Sequence, residues 1–207
     1  MKQVEKSHYR FQEYENEARF TSYYHQLKAV LELKPDTLLE VGGGAGYFLT
    51  LVRNTGITVW SADVDVDLQP TVAASVLQLP FKEKCVDVCV AFQVLEHLPF
   101  DSFQRALVEL ARISKTGVVI SLPDFGNAGV VLSFPYVRKL MFSFRALPFM
   151  PKHRFDGEHY WEINKSACSL KKIMQVIAQS GLDCTASWLN PYNPYHRFFV
   201  LKKVDII

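Results

Sequence analysis

Apolar residues along this chain form two kinds of run, and the two kinds alternate. Continuous runs of strand length occupy Thr37–Val41, Ile57–Ala62, Val86–Phe92 and Val118–Leu122, with a shorter one at Thr71–Ala74. The other runs place apolar residues at helical spacing, over Glu13–Leu33, Tyr47–Arg53 and Asp101–Ile113. Continuous apolar strands joined by helices are typical of a parallel sheet that is covered on both faces. The pattern therefore predicts an α/β fold in three layers.

The end of the chain departs from this alternation. Ser169–Ser180 predicts an amphipathic helix that ends at Gly181. Asp183–Trp188 and His196–Leu201 predict two strands joined by a turn rich in Asn and Pro. We interpret them as an antiparallel hairpin that closes the sheet.

The segment 124–165 lies between these two parts and is rich in aromatic, Pro and basic residues. Within it, Val130–Met150 is mostly apolar, with Arg138, Lys139 and Arg145 interspersed. We expect a helical and aromatic lid; an interfacial helix that touches a membrane surface is a compatible alternative. The chain should then form one domain over 1–207, with an N-terminal helical segment at 1–34 and a lid insertion at 124–165.

Composition narrows the classes of function. The 207 residues are 49% hydrophobic and 21% charged, with a formal net charge of +2. This balance suits a globular domain and gives no basic field for nucleic acid, even though basic and aromatic residues mix in the segment 124–165. Without a signal sequence or an uncharged run of roughly 18 residues, a cytoplasmic protein without a membrane-spanning helix is expected. The four cysteines form no C-x-x-C pair, so we expect reduced, buried thiols.

The clearest motif is Glu40–Gly46, where a predicted strand runs into the glycines Gly42, Gly44 and Gly46 and then into a helix. Glycines let a ligand approach the backbone, and the helix that follows presents free amide donors. Nicotinamide nucleotides also use such loops, but with G-x-G-x-x-G spacing next to a pyrophosphate. Glu40 would repel a pyrophosphate, whereas it suits the ammonium group of a methionine moiety.

A second acidic residue, Asp63, ends the next predicted strand, about 20 residues further on, where it can bind ribose hydroxyls. Asp65 and Asp67 are close competitors, and a solvated acidic loop is the alternative for all three. We assign the ribose contact to Asp63.

Taken in order, Glu40–Gly46, Asp63, Leu79-Pro80-Phe81 and Val94-Leu95-Glu96-His97-Leu98 resemble the motifs of class I S-adenosylmethionine-dependent methyltransferases, in particular the methyltransferase type 11 group. The resemblance covers about residues 20–122. It implies a Rossmann-like three-layer sandwich with a mostly parallel seven-stranded sheet and a C-terminal antiparallel hairpin. The cofactor that it implies is S-adenosyl-L-methionine.

The same resemblance implies roles for individual residues. Glu40 and the three glycines would line the methionine part of the cofactor, and Asp63 would hold the ribose. The adenine would be flanked by Ser75, Val76 and Leu77, and the transferable methyl group by Phe92 and Gln93. Two departures stand out: Ser75 occupies a position where relatives often have an acidic residue, and the stretch from Asp63 to Thr71 is short of a helix that many relatives have. The pair Glu96-His97 is interpreted as structural, with His97 as a base as the alternative.

Polar chemistry is concentrated again in the segment 153–162. One interpretation is an acceptor pocket in which His159 or His153 serves as the base for a hydroxyl, since a neutral imidazole suits that task near pH 7. A structural turn at Gly157 is equally compatible. A metal site built from His153, Asp156 and His159 is a third interpretation, but the spacing matches no known site, so we assign no metal ligand.

These observations together predict an enzyme that transfers a methyl group from S-adenosylmethionine to a small-molecule or lipid-like acceptor, with peripheral membrane contact as a compatible feature. The sequence contains no recognisable catalytic dyad. A non-catalytic protein that binds S-adenosylmethionine and regulates or supports a partner is therefore the alternative.

Overall fold

A computed structural model describes residues 6–134, 139–166 and 168–204. Its helices are α1 (Phe11–Tyr14), α2 (Glu17–Glu32), α3 (Tyr47–Arg53), α4 (Phe103–Ile113) and α5 (Leu170–Gln179). Its strands are β1 (Thr37–Val41), β2 (Thr58–Asp63), β3 (Val72–Ala73), β4 (Val86–Phe92), β5 (Ser114–Pro123), β6 (Asn127–Leu132), β7 (Leu140–Arg145), β8 (Leu182–Asn190) and β9 (Asn193–Lys203).

Seven strands form the central sheet, in the order β3-β2-β1-β4-β5-β9-β8. Neighbours from β3 to β5 pair in parallel, β9 runs antiparallel to β5, and β8 pairs with β9 as a hairpin. The predicted α/β class, the mostly parallel sheet and the closing hairpin are confirmed. Because β1 to β4 run in the same direction, their carboxyl ends meet at one edge of the sheet, where open α/β sheets bind ligands.

Side chains of the strands alternate between two apolar layers, which explains the continuous apolar runs. On one face, Leu38, Val88 and Val90 pack with residues of α2 and α3, among them Val30 and Phe48. On the other face, Leu39, Cys89 and Ala91 pack with residues of α4 and α5, among them Leu107 and Ile173. The sheet is therefore covered on both sides, as the alternation predicts.

The segment after β5 differs from the prediction. Instead of a helical lid, β6 and β7 pair antiparallel in a separate two-stranded sheet, from Asn127↔Arg145 to Leu132↔Leu140. The helix prediction for Val130–Met150 is therefore wrong: its apolar residues follow one another without regular spacing, so the pattern has no period that separates a helix from a strand. Tyr136, Val137 and Arg138 of the predicted lid lie outside the described residues.

The longest helix of the described N-terminal residues is α2, which is shorter than the apolar pattern over Glu13–Leu33. The helix α2 begins at Glu17 because the side chain of Asn16 accepts a hydrogen bond from the Arg19 amide at 3.0 Å, a typical N-cap. Across the described ranges, no helix combines the length and apolar character needed to cross a bilayer. All four cysteines are free thiols.

Candidate functional site

A large cavity of about 1020 Å³ opens at the carboxyl ends of the parallel strands. Residues that follow β1, β2, β3 and β4 form its floor, and the segment 155–160 and the N-terminal residues from Tyr9 to Gln26 also line it. This is the edge of the sheet at which the sequence places the candidate residues. The volume is large enough for a nucleoside-sized ligand together with a second molecule.

Because glycine has no side chain, the backbone of the glycine loop itself forms part of the cavity wall. Gly44 has a φ of +51°, which L side chains rarely adopt. A Cβ atom at that position would lie 3.1 Å from Cε1 of Tyr9. The Gly42 amide donates to the carbonyl oxygen of Ala62 at 2.9 Å, which fixes the loop to β2. The loop therefore offers a narrow, preformed cradle for a ligand.

Glu40 lies below this loop and is only 4% exposed. Its Oε2 atom has no hydrogen-bond partner among the described residues. Burial, and to a smaller extent the charge of Asp63, raises the pKa of Glu40 to about 8. A buried carboxylate without a partner is costly, and a cationic ligand in the cavity would compensate it.

Asp63 ends β2 and lines the same cavity. Its Oδ1 atom accepts a hydrogen bond from the Asp65 amide at 2.9 Å, which orients the side chain. Burial raises the pKa of Asp63 above its ordinary value. Asp65 also lines the cavity, whereas the exposed Asp67 lies outside its wall. Two of the three acidic residues that compete for the ribose contact, Asp63 and Asp65, therefore line the cavity.

The sequence assigns two further groups of residues to the cofactor, and most of them line the cavity. Ser75 and Val76 line the cavity, while Leu77 packs into the core beneath them. Phe92 and Gln93, at the end of β4, both line it. Gln93 has a φ of +55°. Its backbone N–H holds it there by donating to the carbonyl oxygen of Ser121 at 3.0 Å. A strained non-glycine residue at a strand end is a common feature of functional sites.

The third predicted glycine, Gly46, has a different place. It lies outside the cavity wall and precedes the first residue of α3, with a φ of +76°. No atom lies within 4 Å of the Cβ that another residue would have there. The glycine therefore serves the turn into the helix, which its motif position alone could not distinguish from a ligand contact.

Histidines collect at another part of the wall. His97 follows β4 and His159 comes from the segment after β5, and their ring centroids lie 5.0 Å apart. The Tyr160 amide donates to the carbonyl oxygen of Glu96 at 2.9 Å, and Trp161 Nε1 donates to that of Leu98 at 2.9 Å. These bonds fix the segment 159–161 onto the loop after β4, so that the two rings meet edge to face, with an interplanar angle of 74°.

The three histidines differ in their surroundings. Burial and the neighbouring His159 lower the pKa of His97 below its ordinary value. Burial acts in the same direction on His159, but its hydrogen bond to Glu162 and the charge of Glu96 together raise its pKa above the ordinary value. His153 lies outside the cavity wall, and its Nε2 atom donates to the carbonyl oxygen of His159 at 2.9 Å. Of the two predicted bases, only His159 therefore reaches the cavity.

The sequence did not reveal the contribution of the N-terminal segment to the wall. Tyr9, Tyr14, Arg19 and Tyr23 line the cavity, and the guanidinium carbon of Arg19 lies 3.7 Å from the centroid of the Tyr14 ring. The spacing of the aromatic residues predicts a helix that packs on the domain. Tyr23 both packs against the core and lines the cavity. Tyr195 and His196, on β9, also reach the wall, although the sequence assigns His196 only to a strand and gives Tyr195 no role.

Comparison with known proteins adds a family context to this geometry. Residues 39–122 match the sequence model of a family described as a methyltransferase domain. An uncharacterized methyltransferase of Mycobacterium avium is 35% identical over 178 residues, which is 77% of this chain and 66% of that protein. One of Mycobacterium tuberculosis is 34% identical over 98 residues, 42% of this chain and 38% of the relative. The chain thus spans less than two thirds of these relatives' length.

Solved structures share the backbone fold. A crystal structure of the 1,6-didemethyltoxoflavin-N1-methyltransferase of Burkholderia thailandensis, with bound 1,6-didemethyltoxoflavin and S-adenosylhomocysteine, superimposes with a TM-score of 0.61. The two sequences are 15% identical, and the match covers 89% of this chain and 77% of that one. At this identity the likeness concerns the fold, including the sheet edge at which the cavity opens.

Proposed function

Because the chain belongs to the class I S-adenosylmethionine-dependent methyltransferases, we propose that it transfers a methyl group from S-adenosylmethionine to a small-molecule or lipid-like acceptor. One observation carries the proposal: the buried carboxylate of Glu40, whose Oε2 atom has no hydrogen-bond partner among the described residues, lies beside the glycine loop, in the same cavity as Asp63. S-adenosylmethionine, when bound, supplies a methyl group on a sulfonium that is a good leaving group.

Different residues of the chain bind different parts of this cofactor. Glu40 pairs with the ammonium group, and the backbone from Gly42 to Gly44 holds the rest of the methionine part. Asp63 accepts hydrogen bonds from the ribose hydroxyls, as an acidic residue at the end of the second strand does in this fold class. Ser75 and Val76 flank the adenine. Gly46 and Leu77 act indirectly, through the start of α3 and the core below Val76.

At the other part of the cavity the protein has to position the acceptor and exclude water, which is its main task in an in-line displacement. Phe92 and Gln93 are the proposed neighbours of the reacting methyl group. His159 is the proposed catalytic residue, which activates the hydroxyl of the acceptor. His153 is a positioning residue, because its bond to the carbonyl oxygen of His159 supports that part of the backbone.

The hairpin of β6 and β7 supports a lipid-like acceptor or a membrane surface as its source. Apolar side chains that are 41–55% exposed lie on both strands: Leu132, Leu140, Met141, Phe142 and Phe144. Met141 and Phe142 are consecutive, so they point to opposite faces of the hairpin, and each is exposed. Between Asp124 and Asp156 the sequence has no acidic residue and five basic ones. An exposed apolar tip with basic neighbours suits an anionic lipid surface.

Sedimentation with lipid vesicles tests this part of the proposal. The protein should bind vesicles that contain phosphatidylserine more strongly than neutral phosphatidylcholine vesicles. Combined Phe142→Ser and Phe144→Ser substitutions should remove most of the binding, whereas Val108→Ser, at another exposed apolar position, should not. Equal binding of both vesicle types, or self-association through the hairpin without vesicle binding, would contradict the membrane contact.

The activity itself is tested with S-adenosylmethionine that carries a labelled methyl group. A panel of hydroxylated small molecules and lipids is offered, and the products are separated and counted. We expect a labelled product with at least one acceptor and its loss in the Asp63→Ala variant. Tight cofactor binding without transfer to any acceptor would instead support the accessory protein that the sequence leaves as the alternative.

A further inference from the structure

Glu96 is the most deeply buried carboxylate near the acceptor part of the cavity, with 0% exposure. Neither of its carboxylate oxygens has a hydrogen-bond partner among the described residues. A carboxylate oxygen of Glu96 and one ring nitrogen each of His97 and His159 all lie within 4.8 Å of one another. Buried carboxylates are normally hydrogen-bonded, paired with a cation or bound to a metal. No hydrogen bond from a described residue accounts for either oxygen here, and the groups beside it that can carry a positive charge are the two imidazoles themselves.

The outer nitrogen of each ring is already occupied in a way that prepares the other for a metal. His97 Nδ1 donates to the carbonyl oxygen of Glu158 at 3.0 Å, which places the lone pair on Nε2. His159 Nδ1 lies 3.3 Å from both Glu162 Oε1 and the Tyr195 hydroxyl, and donation from Nδ1 to the carboxylate leaves Nε2 as the acceptor. Histidines that bind metals almost always donate their second ring N–H to a carbonyl or carboxylate in this manner.

A second acidic set near His159 is less suitable. Asp156 and Glu162 also lie within reach of its ring nitrogens. However, Asp156 Oδ1 accepts hydrogen bonds from the amides of Glu158 and His159 at 3.0 and 2.7 Å. Glu162 Oε2 forms an ion pair with Lys165 at 2.7 Å. Both carboxylates therefore have partners that a metal would have to displace, whereas Glu96 has none to lose.

We propose that Glu96, His97 and His159 together bind a divalent transition-metal ion of the zinc type. Two imidazoles and one carboxylate are the protein ligands of open zinc sites, which leave a coordination position for water or substrate. Bond lengths of about 2.0–2.2 Å place tetrahedral ligands roughly 3.4 Å apart, so small side-chain movements complete the site. Magnesium prefers oxygen ligands and should bind much more weakly.

The open position faces the cavity, because His97 and His159 both line it. An oxygen atom of the acceptor, such as a hydroxyl or phenol, would occupy that position. This consequence rests on the proposed function, and it makes His159 act on the acceptor through the ion. The binding of the ion itself does not depend on methyl transfer and can be measured without the cofactor.

The experiment uses untagged protein, freed of metal with a chelator and then dialysed. Calorimetric titration with Zn²⁺ and optical titration with Co²⁺ should each show one equivalent bound with micromolar or better affinity, with ligand-field bands for Co²⁺. Glu96→Gln and His97→Ala should each weaken Zn²⁺ binding at least tenfold. Asp156→Asn, in the competing set, is the matched control and should change the affinity less than threefold.

Thermal unfolding separates a lost ligand from a lost fold. Zinc should raise the Tm of the wild type, because it binds the folded state, and should not raise that of Glu96→Gln. Metal-free Glu96→Gln should retain the wild-type Tm and its affinity for S-adenosylhomocysteine. Absence of zinc binding, unchanged binding in both ligand variants, or equal affinity for Mg²⁺ would overturn the proposal. Intact zinc binding without cofactor binding would instead count against the proposed function alone.

Discussion

The carboxylate of Glu40 lies directly against the backbone of Gly43, so that a Cβ atom at position 43 would come within 2.8 Å of Glu40 Oε2. Glu40, which the sequence assigns to the cofactor's ammonium group, is thus covered by the glycine loop. The loop and the carboxylate form one unit, in which the small size of Gly43 decides where the charge lies.

This contact predicts the effect of Gly43→Ala. The added methyl group should push the end of the flexible Glu40 side chain aside, which costs little stability but moves the charge away from the cofactor. We expect affinity for S-adenosylhomocysteine to fall about tenfold, or about 1.4 kcal/mol, with an unchanged Tm. Gly46→Ala is the contrasting control. It meets open space but a φ of +76°, so it should lower the free energy of unfolding by about 1–2 kcal/mol.

The raised pKa of Glu40 predicts a pH dependence of cofactor binding. Its pKa is about 8 in the free protein, so the carboxyl is protonated at pH 6–7 and must lose its proton to pair with an ammonium group. Affinity for S-adenosylhomocysteine should therefore rise with pH, by up to about tenfold per unit below pH 8.

Calorimetry in buffers of different ionisation enthalpy checks this directly, since binding at pH 7 should release close to one proton. Glu40→Gln should bind more weakly and show a much flatter profile over the same pH range. A steep profile that persists in Glu40→Gln would assign the proton to another group.

A different carboxylate, Asp87, stabilises the fold at the opposite end of β4. Its Oδ2 atom accepts hydrogen bonds from the Thr37 amide and hydroxyl at 2.9 and 2.8 Å, and its Oδ1 atom accepts one from Lys115 at 2.9 Å. The bond to Lys115, with the bonds from Thr37, lowers the pKa of Asp87 to about 2. Asp87→Ala should reduce the free energy of unfolding by about 2–3 kcal/mol.

The sign of the pH effect follows from the lowered pKa. The stabilisation by Asp87 is fully present above the ordinary pKa of 3.8 and is lost as the pH falls toward 2. Urea unfolding at pH 7 and pH 3 should therefore show a smaller difference between wild type and Asp87→Ala at the lower pH. Asp183→Ala, at an exposed position of β8, should be nearly neutral at both. An equal loss at both pH values would mean that charge plays no part.

For the acceptor part of the cavity, we predict that His159→Ala lowers turnover far more than cofactor affinity. Turnover with an acceptor from the labelled-methyl panel should fall by about 10²-fold or more. The Kd for S-adenosylhomocysteine should change less than threefold, because the proposed cofactor residues lie at and after the carboxyl ends of β1 to β4, away from the segment that carries His159. His153→Ala should have a smaller effect on turnover. Equal losses of turnover and affinity, together with a lower Tm, would show that His159 is structural.

Much of the fold could be predicted because burial imposes a period on the sequence. The helix α3 has the predicted limits, Tyr47–Arg53, and the strands β1 and β4 match their apolar runs. The hairpin of β6 and β7 could not be predicted in the same way. The apolar residues of β7 are exposed and most of those in β6 are only half-buried, so no fully buried face selects one period. The pairing of two strands is also a long-range contact that no local pattern carries.

The candidate site could be predicted where its residues lie together in one short segment of the sequence. Glu40 and Gly42 reach the cavity together because a strand and its turn are contiguous in sequence. His97 and His159 were each noticed, but their proximity depends on the segment after β5 folding back onto the loop after β4, through bonds such as that from Trp161 to Leu98. Tyr9 reaches the wall through tertiary packing, which the spacing of aromatic residues does not report.

The central claim, that this cavity binds S-adenosylmethionine, is tested most directly by calorimetric titration with S-adenosylhomocysteine. We expect one site in the wild type and, for Asp63→Ala, an affinity about 10–100-fold lower, because hydrogen bonds to a charged group contribute about 1.5–3 kcal/mol. Asp67→Ala, a matched change outside the cavity wall, should bind like the wild type. No binding by the wild type, or equal binding by Asp63→Ala, would contradict the account.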